Sequence, residues 1–578
     1  MVGDLGEGRG FYYHDYHTIK RQEEDIMMPE KVIQMLKEKT RNSFRNGPIA
    51  CVTDTFEKRT QMLPAKDEVR LYTVITRPTG LMQTSFPVVV QRSCYPDQEP
   101  IYEAYGEELA KRGFVHVMQF CRGIGKSEGE WEPNVNERED GLSLLGWLNA
   151  QTWVESMVWW GTSYLALTGW VLADVVPSKM KGMVLNVYGT DRFFSAYEKG
   201  MFRHDVLTGW AMENAGHPVQ ADYLESCRFR PQMEVDETLW GGRLPWYRDW
   251  ISNTERTDAY WQSGFWKMLQ EIPGHVKVPV HIIDAWYDHH FGSAIHTWEG
   301  LNPEVKEHSH LTIGCWNHFC ESVLPWMEPK HLENDEICQM LAFTKEILLD
   351  GRLPKQNIRY YQVGADCWKQ AHTFPPRAEN IVRFYLTGRR ELTVCAGEEE
   401  QELSFLYDPQ NPVPSCGGEA LLTTMSCAGS RRLPEPGWRE DVITFISPVL
   451  DEPLNIFGKI NVKLAVRTDA DDTSFTARVS QVFPDGSAYH IRSSITRVLA
   501  DNSTYRPGER ANVCVTMWDI SWQIPSGCRL RLDISSSDFP QYAIHTNYAG
   551  LWAKQRNART ARQTIFCGED SVLEIPAE

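Results

Sequence analysis

The sequence predicts an α/β domain built on a mainly parallel sheet with helices on both faces, interrupted by a helical cap and followed by a β jelly roll. Three observations predict it. Strand-like apolar runs alternate with helical ones from about residue 69 to 160. An irregular, aromatic-rich stretch then separates them from two more strand-like runs beyond residue 278. From roughly residue 355 onward, short runs alternate apolar and polar residues with period two, the pattern of a β-sandwich. At 578 residues the chain exceeds what one hydrophobic core holds, so several domains are expected.

In chain order, residues 1–60 are polar and weakly periodic, with one helical stretch near 31–40, and read as an extension packed on the α/β body. Residues 61–352 form that body. Strands are expected at 70–76, 86–90, 114–119 and 157–160, with helices at 103–112 and 140–149; in the latter, Leu142, Leu145 and Leu148 recur at helical spacing. The β-α-β-α-β order is that of a parallel sheet wrapped on both faces. Between about 190 and 274 the pattern breaks, and Phe193, Trp210, Trp240, Trp250, Trp261 and Trp266 fall in helix-biased sequence, which reads as an inserted cap. The sheet resumes at 278–283 and 310–313, and a helical stretch covers 335–349. Residues 353–578 read as the jelly roll, with strands at 460–466, 475–479, 511–515 and 529–534.

Composition narrows the function. Against 59 basic residues stand 77 acidic ones, a net charge of −18 that repels phosphate backbones and anionic lipid, so neither nucleic acid nor membrane is an expected partner. The opening residues lack a basic stretch followed by an apolar one, and no run approaches about 18 uninterrupted apolar residues, so a soluble cytoplasmic protein is expected. The 14 cysteines form no C-x-x-C pair and read as free thiols. His289 and His290 are adjacent on one loop and read as pocket-lining rather than metal-ligating, and Asp469, Asp471 and Asp472 read as a solvated turn without the glycine and distal glutamate of an EF-hand. No metal or organic cofactor is expected. A homodimer is left open.

Chemistry enters at Gly161-Thr162-Ser163-Tyr164, which ends an apolar strand and opens a helical segment. A sharp strand-to-helix turn lifts a serine oxygen clear of the sheet, where a histidine can activate it and backbone N–H groups can meet an oxyanion. In such α/β folds the acid and the histidine follow the serine in chain order, on loops past the carboxyl ends of later strands. Those stations hold Asp288 and His318, with Asp284 as the alternative acid. Ser163 is expected to attack, His318 to carry the proton and Asp288 to orient the imidazole. Tyr164 is expected to give its N–H to the oxyanion, and Tyr95, on the loop after the strand at 86–90, offers a phenol for the same purpose.

These residues, together with Arg122-Gly123, Ser127-Glu128-Gly129, Ala285-Trp286-Tyr287-Asp288 and Gly314-Cys315-Trp316-Asn317-His318, resemble the cocaine esterase family within the X-Pro dipeptidyl-peptidase (S15) class of α/β-hydrolases. Tyr407-Asp408-Pro409, Phe483-Pro484-Asp485-Gly486 and Ser535-Ser536-Ser537-Asp538 are similar to that family's jelly-roll domain, so the likeness runs from about residue 60 to 575. It implies a side-chain oxyanion donor at Tyr95 and a small-molecule ester or activated amide as substrate. Leu165 stands two residues after the serine, where the elbow commonly has glycine, and Phe120 stands where the family commonly has aspartate. The related α-amino acid ester hydrolases grip a substrate ammonium with carboxylates beside the catalytic acid. Here His289, His290 and Ser195 occupy those stations, so an α-amino group is not an expected requirement. The resemblance leaves three rivals to an esterase: an X-Pro peptidase, an acyltransferase or cyclase with the same triad, and a non-catalytic binding protein with a relic elbow.

Overall fold

The computed structural model describes residues 30–375, 380–397, 399–419 and 428–578, so the first 29 residues of the expected extension lie outside it. One ten-stranded sheet carries the N-terminal half. Its strands are β1 (Phe56–Pro64), β2 (Arg70–Pro78), β3 (Phe86–Ser93), β4 (Val115–Phe120), β5 (Val154–Thr162), β6 (Met180–Asn186), β7 (Val280–Ala285), β8 (His310–Gly314), β9 (Asn357–Gln362) and β10 (Cys367–Ala371). Their spatial order is 1-2-4-3-5-6-7-8-9-10. The run from β4 through β3, β5, β6, β7 and β8 to β9 is parallel, while β1, β2 and β10 pair antiparallel at the edges. Parallel strands are covered on both faces, and Val88, Val89 and Val90 of β3, with Val158, Trp159 and Trp160 of β5, are accordingly buried.

Two boundaries differ from those read in the sequence. Residue 60 falls inside β1, whose Glu57, Lys58, Arg59, Thr60 and Gln61 face outward on an edge strand, so no buried face marks it as a strand. Beyond residue 352, β9 pairs with β8 and β10 with β9, carrying the sheet on to Ala371. Strand β6 also goes unmarked in the sequence reading: Met180-Lys181-Gly182-Met183 hides it at one end, yet it lies between β5 and β7 at the sheet's centre.

Helix α1 (Glu30–Asn46) buries Val32, Ile33, Thr40 and Phe44. Phe44 joins a cluster with Leu109 of α2 (Glu99–Lys111) and with Met340 and Leu341 of a later helix, Glu336–Thr344. The described part of the extension therefore packs on the α/β body. On the sheet's other connections run α3 (Glu137–Ala150) and α4 (Tyr164–Trp170). Between β6 and β7 lies the cap, with helices α5 (His204–Glu213), α6 (Pro245–Ser252) and α7 (Gly264–Glu271). Trp240, Trp250, Trp261 and Trp266 are buried in it, which is where most of the cap's aromatic area goes.

The C-terminal half is a sandwich of a seven-stranded and a four-stranded sheet, both antiparallel. Its longest strands, Leu454–Thr468 and Arg510–Ile524, pair along nearly their whole length. Asp472 corrects the reading of a solvated turn. It is fully buried, with Oδ2 facing Arg497 at 3.1 Å and His545 at 3.3 Å, and Oδ1 accepting the Leu499 N–H at 3.0 Å; its solvation is replaced by charge and donors. The sandwich is stitched to the α/β body. Val363 exchanges backbone hydrogen bonds with Ser521 and Gln523 at 3.1 and 2.8 Å.

Candidate active site

The carboxyl ends of β3, β5, β6, β7 and β8 open on one edge of the sheet, and each delivers a residue to the same place. From β5 comes Ser163, at φ 59° and ψ −125°, a backbone conformation that few non-glycine residues adopt. Gly161 makes the turn feasible: a Cβ there would lie 2.1 Å from the Leu165 carbonyl oxygen. The Ser163 N–H donates to the Asn186 carbonyl at 3.0 Å, tying the elbow to β6. Beneath it the half-buried Glu336 accepts from Thr162 Oγ1 at 3.0 Å and Asn186 Nδ2 at 2.7 Å, and desolvation pushes its carboxyl above the usual range.

His318 enters from the loop after β8. Its Nε2 lies 2.9 Å from Ser163 Oγ, and its Nδ1 lies 2.5 Å from Asp288 Oδ2. The loop is held by Asn317, whose Oδ1 accepts the N–H groups of Phe319 and Glu321, each at 3.0 Å. Asp288, fully buried, uses Oδ1 to accept the His290 N–H at 2.6 Å. Asp284 is placed differently. It lies within β7, its Oδ1 accepts the Ala285 N–H at 2.7 Å, and it makes no bond to His318. Burial, with Asp288 beside it, pushes its carboxyl well above the usual carboxylate range, which favours the protonated form.

Tyr95 and Tyr164 flank the serine. Tyr95 follows β3, and Trp210 of the cap donates its indole N–H to the Tyr95 Oη at 3.4 Å. Tyr164 is the first residue of α4, where N–H groups lack an acceptor within the helix. Its phenol donates to Glu137 at 2.9 Å and accepts the Asn134 N–H at 2.9 Å, and Glu137 is in turn neutralised by the buried Arg92 at 3.0 Å. This network pins the first turn of α4. The sequence gives no signal for it, because Arg92, Glu137 and Tyr164 lie on three separate elements.

The two departures at Leu165 and Phe120 meet. Both are buried in one cluster with Tyr72, Val74, Tyr102 and Met118, so a leucine side chain fills the space next to the elbow that a glycine would leave. The histidines and the cap serine also converge: Ser195 Oγ lies 2.7 Å from His290 Nδ1, and the His289 ring is centred 4.5 Å from that of His318. Burial holds both imidazoles far below their usual range, so they are neutral. Ligand atoms of Asp288, His289 and His318 lie within 4.8 Å of one another. Two of those three residues, Asp288 and His318, are already bonded to each other, and His318 also to Ser163.

A narrow pocket with about 30 Å³ of free volume adjoins Ser163. Its walls include Tyr95, Tyr188, Trp210, Trp250, His289 and Arg192, of which Tyr188 and Arg192 are residues that sequence reasoning missed. Tyr188 and Arg192 follow β6, where Val187 takes φ 46°, a strained value for a β-branched residue.

A model of the X-Pro dipeptidyl-peptidase (S15) family matches residues 67–320, and the model of that family's C-terminal non-catalytic domain matches residues 353–573. Together they span most of the chain. The protein belongs to this family and is a serine hydrolase. Cocaine esterase from Rhodococcus sp. (strain MB1 Bresler) is 26% identical over 547 residues, covering 86% of this chain and 93% of that one. Among solved structures, an aminopeptidase from a marine sediment archaeon superposes with a TM-score of 0.78 at 19% identity, covering 90% of this chain and 96% of that one. An α-amino acid ester hydrolase superposes with a TM-score of 0.77 at 20% identity, covering 92% and 98%. These superpositions establish the shared two-domain fold. Among the described residues no helix is long and apolar enough to cross a membrane.

Proposed function

We propose that the protein hydrolyses a carboxylic ester or an activated amide of a small molecule through an acyl-serine intermediate, with Ser163, His318 and Asp288 as the triad. The observation that carries this reading is the unbroken line of bonds from Ser163 Oγ through the His318 ring to Asp288, at 2.9 and 2.5 Å. Ser163 Oγ bonds to the acyl carbon while its proton passes to His318 Nε2; that proton leaves with the alcohol or amine as the acyl bond breaks. Water, deprotonated by the same nitrogen, then attacks the acyl-serine and releases the acid. Asp288 keeps the Nδ1 proton facing itself and offsets the imidazolium charge. We assign the Tyr95 phenol and the Tyr164 N–H as oxyanion donors.

An ammonium-bearing acyl group, which an X-Pro peptidase must hold, is disfavoured because the pocket wall carries the Arg192 guanidinium and two neutral imidazoles. Ester hydrolysis is therefore the reading we prefer. Fluorophosphonate labelling of the full chain tests the mechanism. The wild type should label, whereas Ser163→Ala should not, and should lose on the order of 10⁶ in kcat. Turnover near wild type in Ser163→Ala would exclude the mechanism.

A further inference from the structure

Seven arginines are buried among the described residues, and six of them pair with a carboxylate: Arg92 with Glu137, Arg112 with Glu108, Arg203 with Glu198, Arg478 with Asp538, Arg492 with Glu419 and Arg531 with Asp533. The seventh is Arg192. It is 8% exposed and makes no ion pair among the described residues, since its neighbour Asp191 is taken by Arg256 and His296. It is also the one that lines the pocket beside Ser163.

Its surroundings hold it there without neutralising it. The guanidinium lies 5.4 Å from the Trp250 ring centre and 5.9 Å from that of Tyr188. Its Nη1 is 3.5 Å from His290 Nε2. A guanidinium can only donate, so that contact places a lone pair on Nε2 and the ring proton on Nδ1, facing Ser195 Oγ. His289, on the same wall and 1% exposed, leaves its Nδ1 without a partner. A buried cation and a buried unpartnered ring nitrogen are each costly unless a ligand completes them.

We propose that Arg192, assisted by His289, forms an anion subsite beside Ser163, and that the natural substrate carries a carboxylate within a few bonds of the scissile ester. A carboxylate meets the planar guanidinium fork with two parallel N–H bonds, which a neutral or ammonium group cannot do. The pocket is tight, with about 30 Å³ of free volume, so the anionic group is compact, a carboxylate on a short chain such as succinyl. The carboxylate belongs either to the acyl half or to the leaving alcohol, and the two cases separate by substrate.

The inference rests on Ser163 being the nucleophile, and its test keeps the two apart. In one arm, kcat/KM is measured for the 4-nitrophenyl monoesters of succinic and glutaric acids against the matched neutral half-amides. In the other, acetyl glycolate is set against acetyl glycolamide. In one arm the wild type should prefer the anion by about 10²-fold, Arg192→Met should collapse that ratio to near unity, and Arg192→Lys should recover part of it. Because the readout is a ratio within each variant, a general loss of activity does not mimic it. Should Arg192→Met fail to fold, inhibition of the wild type by succinate against succinamide decides the matter, with stronger inhibition by succinate expected. Ratios at or below one in both arms, a ratio unmoved by Arg192→Met, or equal inhibition overturns the subsite while leaving the triad intact. Absence of Ser163-dependent labelling overturns the triad itself.

Discussion

Asp284 and Asp288 differ by four residues and by everything that decides a proton's path. Asp288 faces His318, whereas Asp284, whose carboxyl burial and Asp288 push well above the usual carboxylate range, is bonded to its own strand. Asp288→Asn should therefore drop kcat by about 10⁴ by presenting the wrong hydrogen to the imidazole. Asp284→Asn exchanges a carboxyl whose protonated form is favoured for a neutral group of equal size and should cost less than tenfold. Steady-state kinetics on the two variants checks both, and a reversed ranking would move the acid to Asp284. The proposed serine, acid and histidine stand out in the sequence because each follows an apolar strand, and a strand's end is a position that periodicity marks. Arg192 does not, since an arginine in a cap reads as a solvated charge until the carboxylates around it have been counted. The Arg92, Glu137 and Tyr164 network was hidden for a related reason: its members touch only once three separated elements are packed.

Among the elements, strands buried on both faces were readable as apolar runs, and the sandwich strands as alternation. Those without a distinctive face were not: β1 shows charge outward along an edge, and β6 is broken by Lys181 and Gly182 although it lies at the centre of the sheet. The elbow itself carries a prediction at this scale. Leu165 stands where glycine is common, but its side chain packs with Phe120, Tyr102 and Met118. Leu165→Gly should thus destabilise rather than relax the turn, by about 2–5 kcal/mol for the emptied space plus about 1 kcal/mol for glycine in a helix. Urea unfolding measures it. A neutral effect would show that α4 slides inward to close the gap, and that Leu165 and Phe120 are not coupled.

Across the whole molecule, burial keeps His116, His204, His281, His289, His290 and His490 neutral, with His116 and His204 pushed down to about 3. Below pH 6.5 the unfolded chain binds protons at these rings and the native chain does not, so the rings' contribution to stability is full above pH 6.5 and falls with pH below it, opposed in part by the raised carboxyls of Asp284, Glu336 and Glu198. Each ring contributes up to about 1.4 kcal/mol per pH unit. Urea stability should decline steeply between pH 6.5 and 5, and His116→Gln should flatten that slope by about one proton; an unaltered slope would mean that His116 protonates in the native state. The sandwich also reaches the acid loop. Tyr287 donates its hydroxyl to the Ile491 carbonyl at 2.9 Å, and the buried Arg492 donates to the Trp286 carbonyl, so Asp288 is framed by residues from the other domain. On the ribosome this imposes a delay. A nascent chain that already contains Ser163, Asp288 and His318 still lacks the clamp on its acid loop until residue 492 has been added, roughly 10 to 35 s later at ordinary elongation rates. The site is thus framed only once the sandwich has been made, and a chain cut short within the sandwich carries all three residues of the proposed triad without the frame that aligns them.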